Sequence, residues 1–166
     1  MALVSFEPAV LALADALRAK GWRLAAAESC TGGLIAAACT AVAGSSDWFE
    51  RGYVSYSNLA KTQMLGVDAA LIAAHGAVSE AVARAMAQGA AAQAGVDLAL
   101  AVTGIAGPGG AMPGKPVGLV WLALAQRSSA GLQLQAERLQ LPGDRSAVRE
   151  RTLRLALQRL RYAAAA

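Results

Sequence analysis

The stretch RLAAAESCTGGLIAAACTAVAG, residues 23–44, carries the pattern that decides the fold. Its first six residues, RLAAAE, are a short apolar run that predicts a buried strand. The TGG turn at 31–33 follows, and the alanine-rich segment 34–44 predicts a helix that ends at a glycine. A buried strand that leads through a glycine turn into a helix is typical of α/β proteins.

The rest of the chain continues this alternation of helices with short apolar strands and then adds a hairpin. Helices are predicted at 6–21, at 58–66 with Asn58 as its cap, at 80–95, and after Asp144, which caps the last helix. Strands are predicted at 52–57, 97–104, 117–125 and 132–141, the last two joined by a turn at 128–131. The pattern predicts one domain over residues 1–166, a three-layer α/β/α sandwich with a mixed sheet.

Composition favours a folded, soluble protein. The hydrophobic fraction is 56% and the mean hydropathy is +0.42, which argues for a packed core and against disorder. Every apolar run is interrupted before the roughly 18 residues that a membrane-spanning helix needs. The first ten residues, MALVSFEPAV, have no basic segment and contain Glu7, so a signal peptide is not expected. We therefore expect a cytoplasmic protein that does not bind membranes.

The cysteine and histidine content predicts neither a disulfide nor a metal site. Cys30 and Cys39 are nine residues apart, a spacing that would point them in different directions on a helix, so each is interpreted as a small buried thiol. His75 is the only histidine, in a predicted turn, where a packing or capping role is the commoner one. Two cysteines and one histidine without close spacing do not suit zinc.

The charge distribution is lopsided towards arginine. The formal net charge is +4, and six arginines lie in residues 145–161. On a helical wheel, Arg145 and Arg149 share the side of Leu153, which turns both inward near the start of the helix. They could hold a phosphate or a carboxylate, or they could belong to a buried ion pair, and the sequence leaves both interpretations open. Because the arginines form no continuous stripe and aromatic residues are few, nucleic acid is not an expected partner.

Three polar residues are candidates for nucleophilic chemistry. Lys61 is one of only three lysines, and lysine, unlike arginine, can lose its proton when it is desolvated. Ser46 lies in the turn sequence GSSD, where a capping hydroxyl is the ordinary role. Ser29 lies between a strand and a helix, the position of a nucleophile, although the G-x-S-x-G pattern is absent. Each residue taken alone is more often structural than catalytic.

Two glycine-rich turns are candidates for ligand binding. Thr31, Gly32 and Gly33 would let backbone N–H groups approach a ligand at the start of a helix, which favours an anion. The segment TGIAGPGG, 103–110, is a second such turn after a strand, and it begins with Thr103 and Gly104. The 31–33 turn matches neither the Walker motif nor G-x-G-x-x-G, and the 103–110 turn could be another backbone cradle or only a flexible hairpin. Since ligands of α/β sheets gather at the carboxyl ends of strands, we expect both turns near the site.

Five motifs in order resemble the CinA C-terminal domain family. They are ESCTGG, GSSDWF, YSNLAK, HGAVSE, and VTGIAGPGG with KPVG. The resemblance covers residues from about 8 to about 162, nearly the whole chain. The segment AMPG before KPVG departs from the Gly-rich or acidic spacer that is more usual there, which affects only the shape of a loop.

The resemblance implies a nicotinamide-nucleotide amidase that converts nicotinamide mononucleotide to nicotinate mononucleotide and ammonia, in pyridine nucleotide recycling. It implies a metal-free mechanism without a cofactor, in which Ser46 attacks, Lys61 takes the proton and Ser29 assists. An exchange of the two serine roles stays open. On chemical grounds, backbone N–H groups near Gly32 and Gly33 could stabilise the oxyanion, and the phosphate could rest on the Gly-rich turn or on Arg145. The remaining pocket residues that the resemblance implies are Tyr56, Thr103, Gly104 and Arg145.

The family also implies a homodimer. Two other functions stay open: a nucleotide-binding or regulatory module without turnover, and a competence-associated accessory protein. Nucleotide binding without ammonia release would favour the first of them.

Overall fold

Five strands form one mixed sheet in the order β2-β1-β3-β4-β5 in a computed structural model that describes residues 3–166. The strands are β1 (Leu24–Glu28), β2 (Phe49–Val54), β3 (Leu98–Gly104), β4 (Leu119–Ser128) and β5 (Gly131–Gln140). β1 pairs in parallel with β2 and β3, whereas β4 and β5 are antiparallel to their neighbours. The expectation about a signal peptide rests on the first ten residues, of which Met1 and Ala2 lie outside the described residues.

Within residues 3–166, six α-helices cover the two faces of the sheet. They are α1 (Glu7–Lys20), α2 (Leu34–Thr40), α3 (Asn58–Leu65), α4 (Ala69–His75), α5 (Glu80–Ala94) and α6 (Arg145–Ala165). Short 3₁₀ helices lie at Leu3–Phe6 and Ser45–Asp47. One apolar cluster joins the sheet to α1, α2 and α6, and a second joins it to α3, α4 and α5. The predicted three-layer α/β/α sandwich with a mixed sheet is confirmed.

Side-chain size differs between the two faces of the sheet. Along β3, Leu98, Leu100 and Val102 face the α1, α2 and α6 layer, while the alternating residues Ala99 and Ala101 face the other layer. Small side chains on that face let the alanine-rich α5 approach the sheet closely. Crowding continues between α5 and the end of α3.

Gly89 shows how closely α5 and α3 approach each other. A Cβ atom added at Gly89 would overlap the carbonyl oxygen of Leu65, the last residue of α3. The absence of a side chain at this position therefore allows α3 to lie against α5. Since α3 carries Lys61, this close contact also fixes the lysine relative to the sheet.

Most predicted boundaries agree with the structure within a few residues, but β2 does not. It runs from Phe49 to Val54 and not over 52–57, because Phe49 already pairs with Leu24 of β1. The predicted cap of α3 is also wrong. The Ser57 side chain accepts a hydrogen bond from the amide of Ala60, so Ser57 and not Asn58 caps the helix.

Two helices differ from the prediction. α2 ends at Thr40 and not at Gly44, and the threonine hydroxyl donates to the carbonyl of Ala36 in the last turn. The sequence prediction missed α4, whose last residue is His75, so the histidine does not lie in a turn between helices. Asp68 caps this short helix through the amide of Ala70.

The cap of the last helix, the position of the hairpin turn and the burial of both thiols are confirmed. Asp144 caps α6 by accepting from the amide of Ala147, and the β4–β5 hairpin turns between Ser128 and Gly131. Both cysteines are buried free thiols. Within residues 3–166, every helix is too short or too polar to cross a bilayer.

Candidate active site

The carboxyl ends of β1 and β3 meet at the point where the strand order reverses. β1 lies between β2 and β3. After β1 the chain forms β2 on one side of it, and then crosses over to form β3 on the other side. Ligands of open α/β sheets bind at such a switch point. Ser29 follows β1, and Thr103 and Gly104 end β3, so the structure brings the two predicted turns together at this edge.

A cavity of about 240 Å³ opens at this edge of the sheet. Six of the predicted site residues line it: Ser29, Tyr56, Lys61, Thr103, Gly104 and Arg145. Five residues without a predicted role in the site also line it: Cys30, Asn58, Ala77, Val78 and Ala106. Ala77 and Val78 lie within the HGAVSE motif, which is the signal that could have found them.

Lys61 is almost completely enclosed. Its exposed fraction is 1%, and its Nζ donates to Ser29 Oγ at 3.1 Å, to the Ser55 carbonyl at 2.9 Å and to the Tyr56 carbonyl at 3.5 Å. Three acceptors match the three hydrogens of an ammonium group. When the amine is neutral, the two carbonyls can hold its two hydrogens, which leaves the lone pair directed at the Ser29 hydroxyl.

Burial sets the ionisation of the two groups beside Ser29 in useful directions. Desolvation lowers the pKa of Lys61 below its usual range, which favours the neutral amine that can accept a proton. Desolvation raises the pKa of the neighbouring Cys30 to about 12, so this residue stays a thiol. The serine–lysine pair is therefore the nucleophile–base arrangement that the cavity offers.

Other residues that line the cavity carry polar groups with defined partners. The Thr103 hydroxyl donates to the Ala77 carbonyl at 2.9 Å, which leaves its oxygen free to accept from a ligand. Arg145 donates to the Gly107 carbonyl at 3.0 Å and to the Tyr56 hydroxyl at 2.9 Å. Arg145 thus ties the start of α6 to the glycine-rich loop and to the mouth of the cavity.

The turn at 31–33 does not offer the anion site that the sequence predicts. The carboxylate of Glu28, which is fully buried, accepts from the amides of Gly33 at 3.0 Å, Ile35 at 3.1 Å and Ala36 at 2.8 Å. The protein's own anion therefore occupies the start of α2. The Gly33 amide is therefore already bonded, and neither Thr31, Gly32 nor Gly33 lines the cavity. A role of this turn in oxyanion binding stays a prediction.

Arg149 points inward as the helical wheel predicts, and its hydrogen-bond partner among the described residues is a backbone carbonyl. Its Nη2 donates to the Thr31 carbonyl at 2.9 Å, whereas its Nε is buried without a partner among the described residues. The side chain therefore contacts the loop behind Ser29 and makes no buried ion pair. Arg145, one helical turn earlier, is the arginine that lines the cavity.

Ser46 lies away from this site within the chain. It is exposed in the 3₁₀ helix Ser45–Asp47, directly before β2, and the adjacent Trp48 carbonyl accepts from the amide of Leu24 at the start of β1. Five residues of strand, about 16 Å at 3.3 Å per residue, separate that end of β1 from Ser29. The structure does not bring Ser46 to Lys61, so the predicted attack by Ser46 has no geometric support in the chain.

These features define an α/β protein with a buried serine–lysine pair at the switch point of its sheet. The family model for the CinA C-terminal domain matches residues 7–164, nearly the whole chain. The chain therefore belongs to the CinA C-terminal domain family.

The relatives fall into two groups by length. A CinA-like protein of Citrifermentans bemidjiense is 60% identical over 149 residues, which are 90% of this chain and 35% of that protein. The chain thus spans about a third of these longer relatives. A nicotinamide-nucleotide amidohydrolase PncC of Pseudomonas putida is 51% identical over 89% of this chain and 90% of its own length. The PncC protein of Enterobacter agglomerans is 52% identical over 86% of this chain and 85% of its own length.

Solved structures show the same fold. A CinA-superfamily protein of Klebsiella pneumoniae superposes with a TM-score of 0.90 at 40% identity, covering 96% of this chain and 97% of that one. The protein CihA of Agrobacterium tumefaciens gives a TM-score of 0.90 at 42% identity, covering 95% and 94%.

Proposed function

We propose that the chain hydrolyses the carboxamide of nicotinamide mononucleotide to nicotinate mononucleotide and ammonia. The observation that carries this proposal is the hydrogen bond between Lys61 Nζ and Ser29 Oγ inside the cavity. The substrate class comes from the PncC relatives, which are named as nicotinamide-nucleotide amidohydrolases and match along most of their length. Of the two serine roles left open by the sequence, the geometry favours Ser29 as the attacking residue.

The first half of the reaction forms an ester on Ser29. The Ser29 hydroxyl oxygen attacks the carboxamide carbon while its proton passes to the neutral Lys61 amine. The resulting tetrahedral intermediate collapses as the C–N bond breaks. Lys61 returns the proton to the leaving nitrogen, which departs as ammonia. A nicotinoyl ester then remains on Ser29 Oγ.

The second half returns the enzyme to its starting state. Lys61 takes a proton from a water molecule, whose oxygen attacks the ester carbon. The ester C–O bond breaks and Ser29 recovers its proton from Lys61. The product forms as the carboxylic acid and loses its proton to solvent water, so that it leaves as a carboxylate, and one water is consumed for each ammonia released.

Backbone amides next to Ser29 are the proposed oxyanion donors. The Ser29 amide donates to the Val102 carbonyl, and the Gly32 amide donates to the Ser29 carbonyl. The Cys30 amide, directly after the nucleophile, has no carbonyl acceptor of this kind in the described part of the chain. An N–H group at this position stabilises the oxyanion in other serine hydrolases.

The cavity is large enough for the pyridine ring and leaves the ribose phosphate at its mouth. A neighbouring depression of about 510 Å³ shares Ala106 and Arg145 with the cavity and continues towards Pro108 and Ser146. We place the phosphate beside Arg145, whose guanidinium suits phosphate oxygens. The carboxamide nitrogen would then lie within reach of the Thr103 oxygen.

Purified protein incubated with nicotinamide mononucleotide and no added metal tests the function. We expect equimolar ammonia and nicotinate mononucleotide from the wild type and from Lys20→Met, which removes an exposed lysine. Lys61→Met should bind the nucleotide but release both products about 10²- to 10⁴-fold more slowly. Nucleotide binding by the wild type without any product would contradict the proposal and indicate a binding module.

The homodimer stays a prediction, and exposed apolar side chains support it. Tyr56, Leu59 and Met64 are 58%, 64% and 39% exposed and lie on or just before α3. An apolar surface of this kind is often covered by a partner. Sedimentation at micromolar concentration checks this prediction, and a purely monomeric species would contradict it. The cytoplasmic location also stays a prediction.

A further inference from the structure

Two charged residues that do not line the cavity make hydrogen bonds to the loop that carries Ser29 or to the helix turn that follows it. Glu28 precedes Ser29, and because side chains alternate along a strand, its carboxylate points towards α2 while Ser29 points towards Lys61. Arg149 reaches the same loop from α6, 118 residues further along the chain. Both contacts come from the α1, α2 and α6 layer, whereas Lys61 belongs to the other layer.

Glu28 fixes where the loop ends. Its two carboxylate oxygens accept three amides, those of Gly33, Ile35 and Ala36, and the side chain is fully buried. A buried carboxylate bonded only to N–H groups makes strong, charge-assisted hydrogen bonds. The loop 29–33 is consequently tied to β1 at one end and to the first turn of α2 at the other.

Arg149 fixes the middle of the loop. Its guanidinium donates to the Thr31 carbonyl, and a Cβ atom at Gly32 would lie 3.8 Å from its Nη2, so the loop packs directly against it. The Thr31 hydroxyl is buried without a partner, so the side chain of Thr31 gives the loop no anchor of its own among residues 3–166. The contact through the carbonyl is therefore the anchor at this point.

We propose that Arg149 is a positioning residue that holds Ser29 Oγ on the Lys61 lone pair, with Glu28 as the second anchor of the same loop. This inference rests on the proposed function for its kinetic consequence. Misplacement of a nucleophile by about 1 Å can lower turnover about 10²-fold without any change in the groups that bind substrate. A loss of this anchor should therefore lower kcat and leave KM unchanged.

Three variants separate this role from others. Arg149→Met removes the donor but keeps the apolar length, Arg149→Lys keeps a single charged donor, and Arg151→Met removes an exposed arginine of the same helix as the matched control. We expect kcat to fall about 10²-fold in Arg149→Met with KM within about twofold. Arg149→Lys should recover part of that loss, and Arg151→Met should match the wild type.

A second readout does not depend on the nucleotide. The rate at which a small sulfonyl fluoride labels Ser29, mapped by mass spectrometry, reports the position of the nucleophile directly. The labelling rate should fall in Arg149→Met by about the same factor as kcat. It should also fall in the separate variant Glu28→Gln, which loses one of its acceptor oxygens. Thermal unfolding of each variant identifies the folded fraction to which both rates are normalised.

Each alternative outcome overturns one statement. A higher KM with unchanged kcat in Arg149→Met would make Arg149 a substrate-binding residue, and a lower melting temperature with unchanged kcat and labelling would make it purely structural. Wild-type protein labelled at Ser29 but inactive on the nucleotide would contradict the proposed function, while the labelling series would still test the anchor. Wild-type protein neither labelled nor active would contradict both proposals.

Discussion

Two serines lie in glycine-containing turns at opposite ends of the parallel strands, and their surroundings differ sharply. Ser29, at the carboxyl end of β1, lies in a buried loop where a lysine amine, a carboxylate and an arginine all make hydrogen bonds. Ser46, at the amino end of β2, is exposed in a 3₁₀ helix held by Arg18, which donates to the Gly44 carbonyl and lies 3.8 Å from Asp47.

The difference favours the turns that follow the parallel strands, and not those that precede them, as the place for chemistry. Turns that follow parallel strands meet at the switch point, where two loops and the dipoles of several backbone groups converge. Turns that precede those strands lie at the other edge, where they connect elements and face solvent. The motif GSSD precedes β2, so its serine belongs to the second group.

Alanine substitution of each serine in turn should give the largest difference in turnover between two variants. Ser29→Ala removes the proposed nucleophile, so turnover of nicotinamide mononucleotide should fall about 10⁴- to 10⁶-fold. Ser46→Ala, the matched control at the other end of the sheet, should stay within about twofold of the wild type. Steady-state ammonia release measures both variants, and a severe loss in Ser46→Ala alone would reverse the comparison.

Lys61 variants should give the next largest effect. Lys61→Met removes the base and should lower turnover about 10²- to 10⁴-fold. It also removes the cost of burying an amine, so the free energy of unfolding should be unchanged or higher. Lys61→Arg should be equally inactive because a guanidinium does not lose its proton. Ammonia release and urea unfolding measure the two quantities, and an active Lys61→Arg would argue against the base role.

Arg145→Met should raise KM by about 10- to 100-fold with a smaller change in kcat. The expectation follows from a charge-assisted hydrogen bond to phosphate, worth about 1.5–3 kcal/mol. Nicotinamide riboside, which has no phosphate, provides the control substrate, since the variant and the wild type should handle it alike. An equal loss on both substrates would instead indicate that Arg145 acts by shaping the cavity through Gly107 and Tyr56.

The pH dependence of activity and stability should follow the lowered pKa of Lys61. Below that pKa, kcat/KM should rise about tenfold per pH unit, because only the neutral amine accepts a proton. Stability should rise with pH between the lowered pKa and the ordinary value of about 10.4, because the unfolded chain holds the proton in that window and the folded chain does not.

Comparison with Lys61→Met isolates the contribution of this group. The difference in unfolding free energy between the wild type and Lys61→Met should change across that window and be constant outside it. Urea unfolding at a series of pH values measures it. A difference that does not vary with pH would mean that the lysine remains protonated in the folded protein.

The smallest expected effect lies at the Ser46 end of the sheet. Asp47→Asn removes an exposed ion pair with Arg18 and should change the free energy of unfolding by less than about 0.5 kcal/mol. Activity should not change. Thermal unfolding and ammonia release check this, and a clear loss of activity would show that the turn contributes to the site after all.

The architecture and most of the cavity lining could be predicted from the sequence. Apolar runs, glycine turns and caps locate the strands and most helices, and the two post-strand turns at Ser29 and Thr103 converge as expected. Helical periodicity correctly turns Arg149 inward, whereas Arg145, which was predicted to share that side, is exposed and lines the cavity. These features depend on local sequence, which a pattern records directly.

The partners of those residues could not be read from patterns. Whether the amides of 33–36 are free depends on the side-chain direction of Glu28, and the target of Arg149 depends on how α6 crosses the sheet. α4 was missed because seven residues are too few for a clear helical period. The position of Ser46 could have been predicted from the order of the elements. A turn that directly precedes a parallel strand lies at the amino end of that strand, away from the carboxyl edge.

The most direct test of the account is to identify the serine that carries the acyl group. Wild-type protein mixed with nicotinamide mononucleotide and quenched in acid within the first turnovers should contain a nicotinoyl nucleotide ester, and peptide mass spectrometry locates it. We predict the ester on the peptide that contains Ser29, and none in Ser29→Ala. An ester on Ser46 would contradict the central claim that the serine at the carboxyl end of β1 is the nucleophile.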